Sequence, residues 1–283
     1  MIFRRQDLAV VLLYYLGYTK VRNFLFCLQH KPVTRCVTFH DISEGTEANF
    51  RAKLCCLKEH TNVVSLDDYF SGNLSSEKVN VIVTFDDGYK SWVTTAAPVL
   101  GELQIPATFF ISSGFLDLSK ADAENFLRSN LKTNLESTGA LTGADVRRLA
   151  EDGFTIGGHT FTHVNMEEVS SQSDILREIV SDKEKLQSII GKNVNYFAYP
   201  FGGWNNPKIN LIDLLKEAGY KAAVTTVAGF NTPTETNSYL LHRDLTGTPT
   251  PVYVFKARAL GTYDAVSFLK RQAPYPHARR VHA

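Results

Sequence analysis

A chain of 283 residues with 44% hydrophobic and 21% charged residues can bury a substantial core, in one large α/β domain or two small ones. Its 30 basic and 29 acidic residues leave a net charge of +1, which removes the broad electrostatic case for a nucleic-acid partner. The four cysteines lie in the first fifth of the chain without a CxxC pair, so they indicate neither a zinc finger nor a disulfide framework.

The N-terminal segment combines basic and bulky apolar residues. Two arginines precede an apolar run from Leu8 to Tyr18, which is shorter than the roughly 20 residues of a membrane-spanning helix. No A-x-A-like cleavage site follows, and further basic residues alternate with the apolar FLFCL. The pattern suits a helix on a membrane surface and equally a helix that covers one end of a domain. We expect residues 1–32 to form an amphipathic or apolar helical segment, with peripheral membrane contact through residues 1–31 as one role.

From residue 33 onward, short β-rich runs alternate with helical ones. In chain order, VTRCVTFH predicts a strand, EANFRAKLCCLKEH a helix, and NVVSL and VNVIVTF two strands. SWVTTAAPVLGELQ predicts a helix with Pro98 at a kink or a late start, and ATFFIS predicts the next strand. Residues 112–142 then interrupt the rhythm, as expected of an insertion that forms a lid or a groove wall.

The alternation resumes after this insertion. LTGADVRRLAEDG predicts a capped helix, FTIGGH a strand and SDILREIVSDKEKLQSIIG a long amphipathic helix. Strands at NYFAYP and KAAVTT flank a helix at NPKINLIDLLKEAG, and SYLLHR is a candidate for the last strand. Seven or eight strands alternating with helices predict a parallel sheet, and at this length they suit a (β/α) barrel.

Residues suited to chemistry follow the predicted strands. In a barrel of this kind, the active site lies at the carboxyl ends of the strands. The predicted strands end at His40 and Asp41; at Asp86 and Asp87; at His159 and His163; at Pro200, Phe201 and Gly202; and at His242, Arg243 and Asp244.

Two of these groups together indicate a metal site. The adjacent carboxylates of Asp86 and Asp87 would repel each other, and a cation beside them would relieve the repulsion. His159 and His163 are four residues apart, so their imidazoles can converge on one ion if the backbone coils. Two imidazoles and one carboxylate leave positions open for water and substrate. The second carboxylate could then take a proton from the water.

Three motifs carry a resemblance to a known family. VTFDDG, HTFTH and FAYPFGG, in this order and spacing, resemble the polysaccharide deacetylase (NodB-homology) family, carbohydrate esterase family four, over about residues 33–245. TFHDI resembles the first strand of many members. FAYPFG is similar to the FAYPYG-type branch, which includes poly-N-acetylglucosamine deacetylases. The resemblance implies a distorted (β/α) barrel of about seven parallel strands that removes N- or O-acetyl groups from a polysaccharide or glycan in a metal-dependent reaction.

The resemblance also implies roles for the motif residues. It makes Asp86 the general base and assigns Asp87, His159 and His163 to one divalent metal ion, Zn²⁺ or a similar ion. A main-chain N–H near the third motif would stabilise the oxyanion of the reaction. The third motif supplies the candidate substrate-binding residues Tyr199, Pro200, Phe201, Gly202 and Trp204, with core packing as the alternative for the aromatic ones.

The sequence departs from the family pattern in three respects. Many members have an arginine that binds the base where this chain has Ala198, and Arg243 is our candidate to replace it. The general acid is assigned to either His242 or His40. The tryptophan-bearing fourth motif is not recognisable, which leaves open a metal-binding family member with weak or no turnover. A hydrolase of another non-peptide C–N amide bond is a further alternative.

These observations define the expected organisation. Residues 33–270 are expected to form the catalytic domain, and residues 271–283 a C-terminal tail. The expected partner is an acetylated carbohydrate, and the expected location is the cell envelope or a membrane surface, with the cytoplasmic side not excluded. The sequence leaves the oligomeric state open.

Overall fold

The structure of the protein is a computed structural model that describes residues 5–29, 31–131, 139–169, 171–202, 209–245 and 250–264. Within those ranges, none of the helices has both the length and the apolar character needed to cross a membrane. Trp204 and the predicted C-terminal tail lie outside the described residues. The boundaries proposed for the catalytic domain and the tail therefore stay predictions.

The described strands form one curled, parallel sheet. They are β1 (Thr34–Phe39), β2 (Asn62–Val63), β3 (Asn80–Asp87), β4 (Ala107–Ile111), β5 (Thr155–Gly158), β6 (Tyr196–Ala198), β7 (Ala222–Val224) and β8 (Asp244–Leu245). Seven strands follow the order β7-β6-β5-β4-β3-β1-β8, and β2 pairs with β3 outside that path. The predicted distorted barrel of about seven parallel strands is confirmed.

Helices surround the sheet and alternate with its strands. They are α1 (Arg5–Tyr15), α2 (Tyr18–Leu28), α3 (Glu47–His60), α4 (Leu66–Ser71), α5 (Ala97–Leu103), α6 (Lys120–Phe126), α7 (Gly143–Glu151), α8 (Gln172–Ile190), α9 (Ile209–Glu217) and α10 (Val252–Ala259). Thr142 and Asp145 form the capping box of α7, and Gly191 ends α8 in the left-handed conformation with φ 66°. Pro98 lies in the first turn of α5, directly after a π-helical turn at Trp92–Ala96, so the chain is already helical before the proline and the expected irregularity is this π-helical turn.

The last strand lies further along the chain than SYLLHR. In that segment, only Leu241 forms a bridge, with Val224 of β7, and the strand itself is β8. The Arg243 main-chain N–H donates to the Val227 carbonyl 2.9 Å away, and Asp244 then pairs with Val37 of β1. The segment thus turns from β7 to β1 and bridges the two edges of the curled sheet.

The strand register brings the predicted functional residues to one rim. Phe39 of β1 lies opposite Phe85 of β3, so His40 and Asp86 follow at the same level. All eight residues of β3 are buried, because the strand lies between the barrel interior and the helical layer. The carboxylates at its end are therefore held by a rigid central strand.

The predicted insertion packs beside the same rim. Its helix α6 continues into a π-helical turn at Leu127–Leu131, and residues 132–138 lie outside the described part. The Asn130 side chain donates a 2.8 Å hydrogen bond to the carbonyl of Thr162, within HTFTH. The described part of the insertion thus forms a wall next to the second motif.

Candidate metal centre and active site

Three buried side chains converge at the ends of β3 and β5. Asp87, His159 and His163 each offer one ligand atom, and these atoms lie within 4.8 Å of one another. Asp87 Oδ1 is 3.5 Å from His159 Nε2 and 3.3 Å from His163 Nε2. The structure therefore brings together the three residues that the motifs proposed as ligands, in a cluster that could hold one metal ion.

The hydrogen bonds of this cluster fit a bound cation. His159 Nδ1 donates to the carbonyl of Ala198 at 2.7 Å, since a carbonyl oxygen only accepts. In the neutral imidazole, Nε2 is then an acceptor that faces the acceptor Asp87 Oδ1. Among the described residues, neither Asp87 Oδ2 nor His163 Nδ1 has a hydrogen-bond partner. A divalent cation between the three side chains would satisfy the facing acceptors and balance the carboxylate.

The electrostatics of the cluster keep one negative charge in it. Burial alone would raise the pKa of Asp87, but the contacts with His159 and His163 and the charge of His40 lower that pKa well below its usual value. Burial lowers the pKa of His163. Burial acts in the same direction on His159, yet the contact with Asp87 and the charge of Asp86 raise its pKa. The site thus combines an ionised carboxylate with imidazoles that a metal can hold in the neutral form.

The backbone at the site is held in left-handed conformations. Asp87 has φ 93°, Thr160 φ 60°, His163 φ 56° and Phe201 φ 55°. These conformations cost non-glycine residues free energy, on the order of 1–3 kcal/mol each, so the surrounding contacts must impose them. HTFTH accordingly forms a coiled loop and not a helix, which aims both imidazoles at Asp87.

Gly158 shows how tightly that loop is packed. A Cβ atom at this position would lie 2.2 Å from the hydroxyl of Tyr220 and 2.9 Å from Asp182 Oδ2. Only glycine fits such a close approach. The glycine before His159 is therefore required by packing and not by its turn propensity.

Asp86 makes a two-point ion pair with Arg243 inside the barrel. Arg243 Nη1 lies 2.6 Å from Asp86 Oδ1, and Nη2 lies 2.7 Å from Oδ2. The side chain of Arg243 is 0% exposed, and that of Asp86 is 4% exposed. The guanidinium also donates to the Thr225 carbonyl at 3.0 Å. Asp86 is thus turned away from the role of a fourth ligand and fixed in one orientation.

The pKa of Asp86 follows from this pairing. Burial would raise it, but Arg243, with smaller contributions from His159 and His40, lowers it below the usual value. The Asp86 carboxylate is therefore ionised at neutral pH, beside the cluster of Asp87, His159 and His163.

Two acidic residues on α8 hold the HTFTH loop and were not anticipated from the sequence. Asp182 accepts 2.8 Å hydrogen bonds from the main-chain N–H groups of His159 and Ser113. Glu178 accepts from the main chain and the hydroxyl of Thr162, at 2.8 Å and 3.0 Å. The sequence does carry one signal for Asp182, because an acidic residue stands there on the apolar face of an amphipathic helix. In the structure this side chain is fully buried.

The two candidate histidines for the general acid occupy different levels of the barrel. His40 directly follows β1, and its charge reaches both Asp86 and Asp87. His242 comes two residues before Asp244, which pairs with Val37 in the middle of β1. His242 thus precedes the level of Val37 along the barrel, whereas His40 follows the last residue of β1, at the level of the rim.

The third motif contributes less to the rim than its sequence indicates. Tyr199 is fully buried and its hydroxyl donates to the Tyr239 carbonyl, so this side chain packs in the core; Pro200 is also buried. The main-chain N–H of Gly202, a candidate donor to the oxyanion, already donates a hydrogen bond to the Tyr199 carbonyl. Phe201 is 40% exposed and packs edge-on against His163, with ring centroids 4.7 Å apart.

Comparisons with known proteins agree with this geometry. The polysaccharide deacetylase family model matches residues 74–223. The chitooligosaccharide deacetylase of Azorhizobium caulinodans is 26% identical over 145 residues, which cover 50% of this chain and 58% of that protein. The poly-beta-1,6-N-acetyl-D-glucosamine N-deacetylase of Staphylococcus aureus is 23% identical over 206 residues, 69% of this chain and 65% of that protein. This chain thus spans less than two thirds of both relatives.

The fold comparison points the same way. The structure of IcaB from Ammonifex degensii superposes with a TM-score of 0.66 at 20% identity, over 81% of this chain and 97% of that one. The two chains share the barrel fold.

Proposed function

Because the chain belongs to the polysaccharide deacetylase family, we propose that it is a metal-dependent deacetylase that hydrolyses N-acetyl or O-acetyl groups on a polysaccharide or glycan. The observation that carries this proposal is the pairing of two carboxylates in different surroundings. Asp87 lies within a three-residue metal cluster, and Asp86 lies beside it in a two-point ion pair with Arg243. One carboxylate is suited to a ligand and the other to a base.

The donor set favours Zn²⁺ or a similar divalent ion. Two imidazoles and one carboxylate are typical of catalytic zinc sites, which keep one position for water or substrate. When bound, such an ion would supply a Lewis acid that polarises the acetyl carbonyl and lowers the pKa of the attacking water. Asp87, His159 and His163 would hold it, and the Ala198 carbonyl would orient His159 through its Nδ1 proton.

In this proposal Asp86 is the general base. Its ionised carboxylate accepts the proton of the attacking water, and Arg243 keeps that carboxylate in one orientation. Arg243 is a positioning residue here. It binds the base as the arginine of many family members does, which Ala198 at that position cannot do. The ion pair also favours the ionised form, which a base requires before it can act.

His40 is the better candidate for the general acid. It lies at the carboxyl end of β1, level with Asp86, and its charge reaches both carboxylates. A protonated imidazole there can donate its proton to the departing sugar amine or hydroxyl. Phe201, exposed beside His163, offers an apolar surface for the face of a sugar ring.

The test is acetate release by purified, metal-analysed protein. N-acetylglucosamine oligomers with β-1,4 and with β-1,6 linkages should release acetate, and removal of metal by a chelator should stop the reaction until Zn²⁺ is restored. The relative of Staphylococcus aureus is named for the β-1,6-linked polymer, which makes this the first substrate to try. Absence of acetate release from both polymers and from O-acetylated glycans by metal-loaded protein would refute the proposal. Hydrolysis of only small non-sugar amides would favour the alternative amidohydrolase.

The expected location follows from the substrate class. Acetylated polysaccharides are products of the cell envelope, and we infer that the protein acts there. Fractionation of cells should recover the protein with envelope material and not with the cytosol.

A further inference from the structure

The N-terminal hairpin, which consists of α1, α2 and the Gly17 turn between them, has an apolar outer face. Within the described part of the chain, eight of the twelve exposed large apolar side chains lie on this hairpin. Its exposed residues follow helical spacing, as Leu8 and Leu12 on α1, Leu16 in the following turn, and Val21, Leu25 and Leu28 on α2 show. A patch of this kind, confined to one surface element, marks an interaction site.

Polar contacts on the inner side fix the rotation of this hairpin. Arg22 donates to the carbonyls of Leu260 and Gly261 at 2.7 Å and 2.6 Å. Asp7 lies 3.5 Å from Arg258 of α10. These polar contacts join the apolar contacts of the inner side, where Val10 is buried and Phe26 packs against Phe230, so the hairpin carries apolar residues on its outer side as well.

We propose that the N-terminal hairpin docks the protein on an anionic lipid bilayer, with its outer face in the interfacial region. Each helix has 11 residues and is therefore about 16 Å long, which suits lying in the interface and is far short of a roughly 30 Å hydrocarbon core. The first 31 residues contain five basic residues and one acid, a charge of +4. Since the whole chain carries +1, the remaining residues carry −3, so the formal charge of the N-terminal segment is opposite to that of the rest. Within the segment, Arg22 pairs with Asp264 and Lys31 with Glu235, which leaves Lys20 as the exposed base of α2.

The same charge distribution disfavours a second copy of this chain as the occupant. A two-fold interface brings the same patch of both copies together, so the exposed Lys20 of each copy would approach a segment of the same sign. The single acid of the segment, Asp7, already lies against Arg258. Lys20 is exposed on α2, where an anionic headgroup can reach it. An apolar face with an exposed lysine beside it matches a lipid surface in both respects.

This docking orients the active site away from the bilayer. Arg22 shares the carboxylate of Asp264 with Arg35, the second residue of β1, so the hairpin lies at the end where the strands begin. The site lies at the opposite end. From Asn80 to Asp87, β3 rises about 3.3 Å per residue, or about 23 Å in total. We infer that the docked enzyme receives its polymer from the aqueous side, a statement that rests on the proposed function.

Co-sedimentation with vesicles tests the docking. The full chain should pellet with phosphatidylcholine vesicles that contain phosphatidylglycerol, and less with phosphatidylcholine alone. Leu12 and Phe24 are each 61% exposed, so Leu12→Gln/Phe24→Gln should leave the fold intact. This variant should weaken binding about 100-fold, from about tenfold for each large apolar side chain. Lys20→Glu should reduce only the contribution of the anionic lipid.

A matched control removes one leucine and one aromatic side chain elsewhere. Leu245 and Tyr253 are each 44% exposed outside the hairpin, and Leu245→Gln/Tyr253→Gln should pellet like the wild type. Equal pelleting of the Leu12→Gln/Phe24→Gln variant and the wild type would overturn the proposal. A second result would also overturn it: the wild type is a dimer in light scattering and does not pellet with vesicles, and the Leu12→Gln/Phe24→Gln variant is a monomer. The apolar face would then bind a second copy of the chain.

The orientation has its own readout. Vesicle-bound enzyme should release acetate from soluble oligomers at the rate of free enzyme, and a severalfold fall on binding would overturn the outward-facing site. Sedimentation does not depend on turnover. A failure to bind vesicles therefore leaves the deacetylase proposal standing, and a failure to release acetate leaves the docking result standing.

Discussion

The ion pair between Asp86 and Arg243 yields the sharpest prediction. Arg243→Met removes the guanidinium and keeps an unbranched apolar stem, which leaves the Asp86 carboxylate buried without its main cation. Both partners are almost completely excluded from solvent, and both hydrogen bonds are short, at 2.6 Å and 2.7 Å. Breaking a buried pair by removing one partner costs about 3–5 kcal/mol of folding free energy, because the other charge stays uncompensated. We expect a loss of that size in metal-free protein at neutral pH.

The pH dependence of this loss has a defined sign. The pKa of Asp86 is lowered in the folded protein, so the ion pair contributes stability above the unfolded pKa and loses it as pH falls through the folded pKa. Without Arg243, burial raises that pKa. The stability difference between wild type and variant should therefore be largest at neutral pH. It should narrow as the pH falls from the raised Asp86 pKa of the variant toward the lowered Asp86 pKa of the wild type, because the unfolded aspartate is the same in both proteins and cancels. For the same reason, the acidic limb of the pH–rate profile should move to higher pH in the variant.

Urea unfolding in the presence of a chelator measures the free energy of unfolding of the metal-free protein. Acetate release over a pH series measures the acidic limb of the pH–rate profile. Asp86→Asn/Arg243→Met should recover most of the lost stability, since it removes both charges. Arg51→Met is the matched control, because Arg51 binds Glu102 with the same two-point geometry, at 2.7 Å and 2.7 Å, but on the exposed surface. It should change neither quantity appreciably. A stable Arg243→Met variant with an unmoved acidic limb would refute the reasoning.

Three further variants separate the roles of the site. Asp86→Asn should retain stoichiometric metal and lose turnover by about 10²-fold or more, and loss of metal in this variant would reverse the roles assigned to the two carboxylates. His159→Ala should lose the metal in elemental analysis while His60→Ala, on α3, retains it; unchanged metal in the first would show that the site lies elsewhere. Asp182→Asn should weaken metal affinity about 10- to 100-fold, because its amide group would face a main-chain N–H donor, whereas the exposed Asp213→Asn should not. Equal affinity in both would limit Asp182 to a packing role.

The barrel could be predicted from local pattern because each strand and helix carries its own periodicity and stop signals. The capping box of Thr142 and Asp145 and the C-cap Gly191 are such signals, and both occur in the structure. The last strand was misplaced because β8 is two residues long, too short to show a period. Its position depends on where the chain leaves β7 and reaches β1.

The candidate site divides in a similar way. Asp86, Asp87, His159 and His163 lie in two short motifs, so sequence alone could name them. Tyr199 has the same aromatic character as an exposed sugar-binding residue, and only the packing around it shows that it is buried. His40 and His242 could not be ranked from sequence, because their level depends on strand register.

The sequence by itself determined the order of strands and helices and the motif residues that end the strands, since both are properties of short stretches. The tertiary structure decided which distant groups meet. Arg243 is 157 residues from Asp86, and Asp182 is 23 residues from His159 on a separate helix. The tertiary structure also decided which face of the N-terminal hairpin points outward. Contacts with α10 and the residues after it, more than 200 positions further along the chain, set the rotation of the hairpin. Such pairings follow from how the elements pack, and no local pattern records them.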